Sequence, residues 1–338
     1  MQRCIKLAEK GLGKTFPNPL VGSVIVYKDK IIGEGWHQKA GSFHAEVNAI
    51  SNVQNKEFLS KSTLYVSLEP CNHFGKTPPC SDLIIKNKIP RVVIASTDPN
   101  PLVAGKGIEK LKKAGCEVLI GVLKKEADFL NRRFFTFHNL KRPYIILKWA
   151  QTKNNFIAPI QKKTDNPEIF WITNNYSKQR VHKWRSEEAA ILVGVQTVIN
   201  DNPELTTREW TGNNPLRIVI DPNRRTPKNS KLFQDNIPTL FFTKDPIQLL
   251  PNKKEQKIVS PFSIKNILKE CYKLKIQSII IEGGLRTLEY FIKDNLWDEA
   301  RVFKTEKKIK AGIMAPEFKK ISNQTEIYEG DILDIYFN

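Results

Sequence analysis

The chain has 338 residues, which is long for a single hydrophobic core, so we expect two domains. Lysine and arginine outnumber aspartate and glutamate by 54 to 35, and the formal net charge is +19. The lysines are scattered, and the strongest cluster, Lys304 to Lys310, is interrupted by Glu306. The charge therefore favours solvated faces and small anionic substrates over a nucleic-acid partner.

Three further features concern the compartment. The chain has five dispersed cysteines, an odd number that argues against a disulfide scaffold and for a reducing environment. No apolar run approaches the ~20 residues that a membrane-spanning helix needs. Residues Met1 to Gly13 predict the start of an amphipathic helix and lack the apolar core and cleavage site of a signal peptide. We therefore expect a cytoplasmic protein with no membrane partner.

The first half of the chain alternates strands and helices. In chain order we predict strands at 21–27 and 31–36, a helix at 44–52, a strand at 63–68, a helix at 80–87, a strand at 91–96, a helix at 107–114 and a strand at 116–120. This alternation over ~120 residues indicates an α/β layered domain.

The second half, which begins near residue 142, continues the alternation. We predict a strand at 144–148, a helix at 177–187, strands at 189–193, 216–220, 239–243 and 278–281, and a helix at 287–294. The last strand leads directly into Glu282-Gly283-Gly284. A glycine pair between a strand and a helix can hold a phosphate, because the backbone can approach the anion and free amides point at it. A simple turn is the alternative that these residues leave open.

The most informative motif combines His44-Ala45-Glu46 with Pro70-Cys71 and Pro79-Cys80. One histidine and two cysteines can bind zinc and leave its fourth position open for water. Glu46 follows His44 by two residues, so its side chain can lie close to that water without being a ligand. It can then carry a proton between water and substrate. The pattern is typical of deaminases that act on nucleobase-like rings. Their general signature has two residues between the cysteines, whereas this chain has eight, 72–79.

Longer motifs around these residues resemble the bifunctional deaminase–reductase family of riboflavin biosynthesis. The motifs are Pro17-Asn18-Pro19-Leu20-Val21-Gly22, the segment 68–80 that contains both cysteines, and Asp98-Pro99-Asn100-Pro101 with Gly105-Lys106-Gly107. The resemblance covers nearly the whole chain, and the eight-residue gap between the cysteines is the spacing of that family. It implies zinc and NADPH as cofactors, a phosphorylated pyrimidine as substrate, and a homo-oligomer.

The resemblance implies that residues 1–141 form a cytidine-deaminase-like α/β/α domain that deaminates a pyrimidine carrying a ribose phosphate. In this domain His44, Cys71 and Cys80 would bind zinc, and Glu46 would shuttle the proton. The implied substrate residues are Asn18 and His37 at the pyrimidine, and His73, Lys76, Asp98 and Asn100 at the ribose phosphate. A loop-stabilising hydrogen bond is the competing interpretation for these six, and it is strongest for Asn18 and Asp98, which are typical turn residues.

Residues 142–338 resemble the family's NADPH-dependent reductase, which has a dihydrofolate-reductase-like α/β fold and reduces the ribosyl group to a ribityl chain. The implied NADPH contacts are Ala150, Trp171, Thr197, Asp201, Gly284, Leu285, Arg286 and Thr287. The implied substrate contacts are Arg185, Leu205, Arg208 and Glu282, and two arginines suit a phosphate. Lys148 and Asp201 are the candidates for the proton donor that accompanies hydride transfer.

Two departures from the family pattern lie in this second half. Asn154 and Asn155 replace the usual Asp-Gly, and the segment 305–316 lacks the usual Pro-Lys-Leu-Leu-Gly run. Asparagine tolerates the left-handed conformation, so the turn can form. The missing carboxylate at Asn154 motivates one alternative, a deaminase whose second domain only binds or oligomerises. The net charge motivates another, an RNA-binding or nucleic-acid-editing protein. We favour the bifunctional enzyme.

Overall fold

The computed structural model describes residues 1–72, 78–100, 104–160, 170–246 and 254–338. The chain forms two compact units, Met1–Lys141 and Arg142–Asn338, and each unit has its own sheet and core. Within the described ranges no helix is long and apolar enough to cross a membrane. Each unit combines one large sheet with helices, so the expected α/β class is confirmed for both.

The first unit is built on a five-stranded sheet with the order β2-β1-β3-β4-β5. Its strands are β1 Gly22–Tyr27, β2 Lys30–Trp36, β3 Thr63–Leu68, β4 Arg91–Ser96 and β5 Glu117–Ile120. Strand β1 is antiparallel to β2 and β3, while β3, β4 and β5 are parallel. The carboxyl ends of β3 and β4 therefore lie at the same edge of the sheet.

Helices cover both faces of this sheet. They are α1 Gln2–Glu9, α2 Ala45–Ser51, α3 Cys80–Lys86, α4 Lys106–Lys113, α5 Lys124–Leu130 and α6 Arg132–Leu140, with a 3₁₀ helix at Lys56–Lys61. Successive strand residues point to opposite faces. Val24 accordingly packs with Leu7 of α1, whereas Ile25 packs with Ala49 and Ile50 of α2. The result is an α/β/α layered unit.

The second unit contains a nine-stranded sheet with the order β11-β10-β9-β8-β12-β6-β13-β16-β15, and a two-stranded sheet of β7 and β14. The strands are β6 Tyr144–Gln151, β7 Phe156–Pro159, β8 Ala190–Gly194, β9 Leu216–Ile220, β10 Thr239–Thr243, β11 Lys254–Ile258, β12 Ser278–Ile281, β13 Glu299–Lys304, β14 Gly312–Met314, β15 Gln324–Tyr328 and β16 Asp331–Phe337. All neighbours from β11 to β13 are parallel, and β16 and β15 complete the sheet in antiparallel fashion.

The helices of the second unit also cover both faces of its sheet. They are α7 Asn175–Glu187, α8 Val195–Asp201, α9 Lys231–Gln234, α10 Ile264–Lys273 and α11 Leu285–Lys293. In the central strand β12, Ile279 packs on the same side as Leu288 of α11, and Ile280 packs on the same side as Val181 of α7. Because both faces are covered, the central strands are almost entirely apolar, which is why the sequence predicted them.

Strand β13 was not predicted, and its composition explains why. It carries Glu299 and Arg301, which the sequence pattern assigns to solvent. Both side chains are buried, and Arg301 Nε donates a hydrogen bond of 2.6 Å to Glu299 Oε1. The pairing of two charges two residues apart on one face makes burial possible. These charges interrupt the buried apolar residues Ala300, Val302 and Phe303, so the strand lacks the continuous apolar run of its neighbours.

Candidate active sites

The predicted metal ligands of the first unit converge. His44 is the N-cap of α2, Cys71 follows β3, and Cys80 is the first residue of α3. The Nδ1 atom of His44 lies 3.5 Å from Cys71 Sγ and 3.3 Å from Cys80 Sγ, and all three ligand atoms lie within 4.8 Å of one another. Two thiols and one imidazole at this spacing suit zinc, and the fourth ligand would be water or substrate.

The surroundings of Cys71 favour its thiolate. Its sulfur accepts a hydrogen bond of 3.3 Å from the backbone N–H of Cys80, at the start of α3. The side-chain hydrogen bond from Cys80 outweighs burial, and with the contact from His44 it lowers the pKa of Cys71. Thiolate is the form that binds metal. Cys71 therefore meets the chemical requirement of a zinc ligand as well as the geometric one, while the hydrogen bond to Cys71 and burial raise the pKa of Cys80.

Glu46 lies in the first turn of α2, two residues after His44. Glu46 is buried, with 3% of its surface exposed, and burial raises its pKa to about 7. A carboxyl group that titrates near neutral pH can both accept and release a proton. This property fits the role predicted for Glu46.

Asn18 and His37 form a hydrogen-bonded pair beside the cluster. Asn18 Nδ2 lies 3.0 Å from His37 Nε2, and His37 Nδ1 lies 3.0 Å from the carbonyl oxygen of Phe43. The carbonyl can only accept, so Nδ1 carries the proton and Nε2 accepts from the Asn18 amide. Burial lowers the pKa of His37, which keeps the ring neutral. The His37 ring also makes an edge contact with the His44 ring, at 5.5 Å between centroids.

The loop that carries Asn18 is held by Asn131, a residue that the sequence did not single out. Asn131 is 2% exposed and follows α5. Its Oδ1 accepts from the N–H of Leu20, and its Nδ2 donates to the carbonyl of Leu20, both at 2.8 Å. One amide side chain, which has both a donor and an acceptor, thus satisfies both backbone groups.

The predicted ribose-phosphate residues are described in part. Asp98 is buried at the end of β4, and its Oδ1 accepts from the N–H of Asn100 at 2.8 Å. Burial raises the pKa of Asp98 to about 6. His73 and Lys76 lie outside the described residues, so their predicted roles stay predictions.

In the second unit, three predicted charged residues form one buried cluster. Arg185 of α7 donates from Nε and Nη2 to the two carboxylate oxygens of Glu282, at 2.9 and 2.7 Å. Lys148 Nζ of β6 lies 3.9 Å from Glu282 Oε2. Burial alone would raise the pKa of Glu282, but the charges of Arg185 and Lys148 outweigh it and hold the pKa at about 2. Glu282 is therefore ionised, and burial lowers the pKa of Lys148.

Next to this cluster is a histidine that sequence reasoning missed. His182, one turn before Arg185 on α7, is 2% exposed, and its Nδ1 accepts from the N–H of Arg208 at 3.1 Å. Burial, followed by the charges of Arg185 and Arg208, lowers the pKa of His182 to about 4. The i, i+3 spacing from Arg185 is the signal that could have indicated a shared helix face.

The remaining substrate candidates lie on the segment after α8. Leu205 is buried with a φ of 56°, an unusual left-handed position for a branched side chain. Arg208 Nη1 donates to Glu204 Oε2 at 3.1 Å and to Thr206 Oγ1 at 3.0 Å. Arg185 Nη1 donates to the Thr206 carbonyl at 3.1 Å, so this segment is tied to the charged cluster.

Two helix starts meet near the glycine pair. Gly284, the N-cap of α11, donates its N–H to Thr197 Oγ1 in the first turn of α8, at 3.1 Å. A Cβ at Gly194 would lie 2.7 Å from Thr287 Oγ1, so only glycine fits at the start of α8 without a shift. Of the predicted NADPH residues, Thr197, Gly284 and Thr287 are thus neighbours, and Leu285 and Arg286 lie in the same turn of α11.

The other predicted NADPH residues are more dispersed. Ala150 lies near the end of β6, and Trp171 is 50% exposed with Lys178 Nζ 4.6 Å from the centre of its ring. Asp201 is the last residue of α8 and is exposed. The other candidate, Lys148, is part of the buried cluster, with its Nζ 3.9 Å from Glu282 Oε2. The two candidate proton donors therefore occupy different surroundings.

The structure gives Asn154 and Asn155 separate roles. Asn155 adopts a φ of 62°, so the left-handed turn forms as predicted. Asn154 Nδ2 donates to the Ile309 carbonyl at 2.7 Å, and Ile309 N–H donates to Asn154 Oδ1 at 3.3 Å. The two departures from the family pattern thus contact each other, because Asn154 pairs with the backbone of the segment that lacks the usual motif.

Comparisons with known proteins cover both units. The family described as the cytidine and deoxycytidylate deaminase zinc-binding region matches residues 1–96, and the RibD C-terminal domain matches residues 143–305. The riboflavin biosynthesis protein RibD of Aquifex aeolicus is 45% identical over 309 residues, covering 90% of this chain and 85% of that protein. Its counterpart in Escherichia coli is 34% identical, covering 90% and 86%.

Solved structures agree with these matches. A diaminohydroxyphosphoribosylaminopyrimidine deaminase/5-amino-6-(5-phosphoribosylamino)uracil reductase from Thermotoga maritima superposes with a TM-score of 0.89 at 35% identity, covering 99% of this chain and 96% of that one. RibD of Acinetobacter baumannii gives a TM-score of 0.89 at 32% identity, covering 99% and 97%. The likeness extends over both units.

Proposed function

Because the chain belongs to the RibD family of riboflavin biosynthesis proteins, we propose that its two units divide the two reactions of that family. The protein is a bifunctional enzyme that catalyses two consecutive steps, a zinc-dependent deamination and an NADPH-dependent reduction. We assign the deamination of diaminohydroxyphosphoribosylaminopyrimidine to residues 1–141. We assign the reduction of 5-amino-6-(5-phosphoribosylamino)uracil to residues 142–338. The comparisons give no support to a deaminase with an inactive second domain.

In the first unit, His44, Cys71 and Cys80 would hold the zinc ion. When bound there, zinc supplies Lewis-acid activation of water. Glu46 would move two protons in turn: the first from the attacking water to the ring nitrogen, and the second from the added oxygen to the amine, which leaves as ammonia. Its burial and its pKa of about 7 support this role. Because His37 fixes the Asn18 amide, the Oδ1 of Asn18 is oriented to accept an N–H of the pyrimidine.

In the second unit, we assign Glu282 to the substrate and Arg185 to the orientation of Glu282. Arg185 donates from Nε and Nη2 to Glu282 and from Nη1 to the Thr206 carbonyl. Because these nitrogens already have partners, we assign the substrate phosphate to Arg208. We propose Lys148 as the proton donor, because its ammonium group lies in the buried cluster. Leu205 would pack against the substrate.

We propose that NADPH, which supplies the hydride, is bound where α8 and α11 begin. Helix N-termini attract phosphate through free amides and the helix dipole, and Thr197 joins the two starts by its bond from Gly284. Thr287, Leu285 and Arg286 would add contacts from α11. Ala150, Trp171 and Asp201 are proposed as further NADPH contacts.

The observation that carries this proposal is the convergence of His44, Cys71 and Cys80 beside the buried Glu46. The test is a coupled assay with the purified chain, in which both products are followed with and without NADPH and after metal chelation. We expect deamination without NADPH, ribityl product only with NADPH, and loss of deamination after chelation that zinc restores. Deamination that survives complete zinc removal would contradict the proposal, and NADPH oxidation at background with the deaminated substrate would favour an inactive second domain.

Two further expectations concern the cellular compartment and the oligomeric state. The dispersed, unpaired cysteines support a reducing compartment, and we propose the cytoplasm. By analogy with the family we also propose a homo-oligomer. Light scattering on the purified chain tests the second point, and a mass equal to one chain at working concentration would contradict it.

A further inference from the structure

The residue just before Pro70-Cys71 is a buried carboxylate that binds four backbone amides. Glu69 is 4% exposed. Its Oε2 accepts from the N–H groups of Asp98 at 3.2 Å and Gly105 at 3.0 Å. Its Oε1 accepts from the N–H groups of Gly107 at 3.0 Å and Ile108 at 3.3 Å. One side chain thus holds both ends of the segment between β4 and α4.

The local sequence explains why α4 needs a carboxylate from elsewhere. The N-cap of α4 is Gly105, with a φ of 76°, and glycine has no side chain to bind the free amides of the first turn. Glu69 takes that role from the end of β3. A Cβ at Gly107 would lie 2.1 Å from the Pro70 carbonyl oxygen, so the start of α4 fits directly against the backbone that leads to Cys71.

This arrangement couples two parts of the deaminase site. On one side Glu69 is two residues from the metal ligand Cys71. On the other side its bond to the Asp98 N–H fixes the residue whose Oδ1 orients Asn100. We propose that Glu69 is a positioning residue of the deaminase, which holds Asp98 and Asn100 at a set distance from the metal ligands for recognition of the ribose phosphate. The inference rests on the proposed role of Asp98 and Asn100.

The carboxylate is specifically required by this geometry. Each of its oxygens accepts two N–H groups, and a glutamine at this position has one acceptor oxygen and an amide that can only donate. Glu69→Gln therefore leaves two of the four amides without an acceptor and places a donor against them. The Asp98 loop and the first turn of α4 would then shift away from Cys71.

The test compares Glu69→Gln with the wild type in deaminase kinetics. We expect KM for the phosphorylated pyrimidine to rise about 10-fold with kcat changed less than about 3-fold, because loss of substrate positioning away from the reacting ring removes uniform binding. Zinc content and reductase activity on the deaminated substrate, measured in the same preparation, should stay at wild-type values. Glu109→Gln, on the exposed face of α4, is the matched control and should leave all parameters unchanged.

A double-mutant cycle separates positioning from general stability. If Glu69 acts through Asp98, Glu69→Gln should raise KM much less in an Asp98→Ala background than in the wild type. Three results would overturn the proposal: the same rise in KM in both backgrounds, a KM of the Glu69→Gln protein equal to that of the wild type, or loss of zinc from the Glu69→Gln protein. An unchanged KM for Asp98→Ala alone would instead overturn the proposed role of Asp98, so the two failures are distinguishable.

Two further measurements keep the proposal testable if Glu69→Gln folds poorly or the substrate assay fails. Gly107→Ala displaces the start of α4 from Pro70 while Glu69 stays in place, and we expect it to raise KM in the same direction. Amide hydrogen exchange needs no substrate, and the N–H groups of Gly105, Gly107 and Ile108 should exchange faster in the Glu69→Gln protein. Wild-type exchange at these amides would contradict the proposal.

Discussion

The candidate deaminase and reductase sites hold their functional side chains in different ways. In the first unit, Asn131 and Glu69 bind backbone groups of the loops that carry Asn18 and Asp98, and burial lowers the pKa of His37. In the second unit, Lys148, Arg185 and Glu282 hold one another through charge. A loop that is held by several backbone hydrogen bonds can lose one of them and keep its conformation. Removing one member of a buried charged cluster instead leaves the charges of its partners uncompensated.

The difference also concerns how far apart the residues are in sequence. The proposed zinc ligands and Glu46 come from 44–80, and two of the ligands lie at the starts of helices that short motifs predict. The charged cluster combines β6, α7 and the residue after β12, and its two bonds join residues 97 positions apart. Because each site is formed by residues of a single unit, we expect the two sites to respond independently to substitution, which the following predictions test.

The largest effect is expected from Glu46→Gln. Glutamine keeps the shape of the side chain but cannot accept and release the proton, so we expect deamination to fall by about 10²–10⁴-fold. Reductase turnover of the deaminated substrate should be unchanged in the same protein, and zinc content should be retained. A parallel loss of reductase activity would show that the two sites are not independent.

Glu282→Gln should break the second site. It leaves Arg185 and Lys148 buried as like charges, so we expect the reductase rate to fall by about 100-fold or more. Unfolding of the second unit should become easier by about 3 kcal/mol. Kinetics and denaturant unfolding measure the two effects, with deaminase activity as the internal control. A fully stable Glu282→Gln protein would mean that the cluster does not depend on mutual charge compensation.

Acid should weaken the second unit through His182. Its pKa is about 4 in the folded chain against an ordinary value of 6.5, so the unfolded chain binds more protons between these values. The stability contributed by neutral His182 is therefore complete above about pH 6.5 and is lost as the pH falls toward 4, by up to about 1.4 kcal/mol for each pH unit. Unfolding followed across this range should show a shallower pH dependence in His182→Asn. An equal dependence in both proteins would contradict this assignment.

The smallest effect is expected from Asn154→Asp, which restores the usual family residue. Aspartate cannot donate to the Ile309 carbonyl and places a negative charge against it, so we expect a loss of about 1–2 kcal/mol in the stability of the second unit. Asn155→Asp is the matched control, because the Oδ1 of Asn155 only accepts, from Gln151 Nε2. Thermal unfolding of both variants measures the difference. Equal melting temperatures would show that the Ile309 pairing is not specific to asparagine.

Sequence reasoning was sufficient where residues act through local patterns. The α/β class followed from alternating apolar strands and helices, and the His44, Cys71 and Cys80 set followed from its motifs. The left-handed conformation of Asn155 followed from the conformational tolerance of asparagine. The predicted roles of the individual substrate and NADPH residues stay predictions, although the structure brings several of them together.

Other features depend on contacts that exist only in the folded chain. Glu69, Asn131 and His182 bind backbone groups that are distant in sequence, so the sequence does not reveal these contacts, although Glu69 lies within the motif at 68–80. In strand β13, the burial of Glu299 and Arg301 depends on their pairing, which the sequence does not show. The pairing of Asn154 with Ile309 could not be foreseen either, because the sequence shows only a missing carboxylate.

The two hydrogen bonds between Asn131 and Leu20 show how far the first unit extends beyond the recognised region. The zinc-binding region recognised by family comparison ends at residue 96, before Asn131. Yet Asn131 satisfies both backbone groups of Leu20, two positions from the proposed pyrimidine contact Asn18. A fragment cut at the end of the recognised region would keep His44, Cys71 and Cys80 but lose the side chain that holds the backbone of Leu20. The helices α5 and α6, which follow β5 and flank Asn131, therefore belong to the same compact unit and fix the loop that carries Asn18.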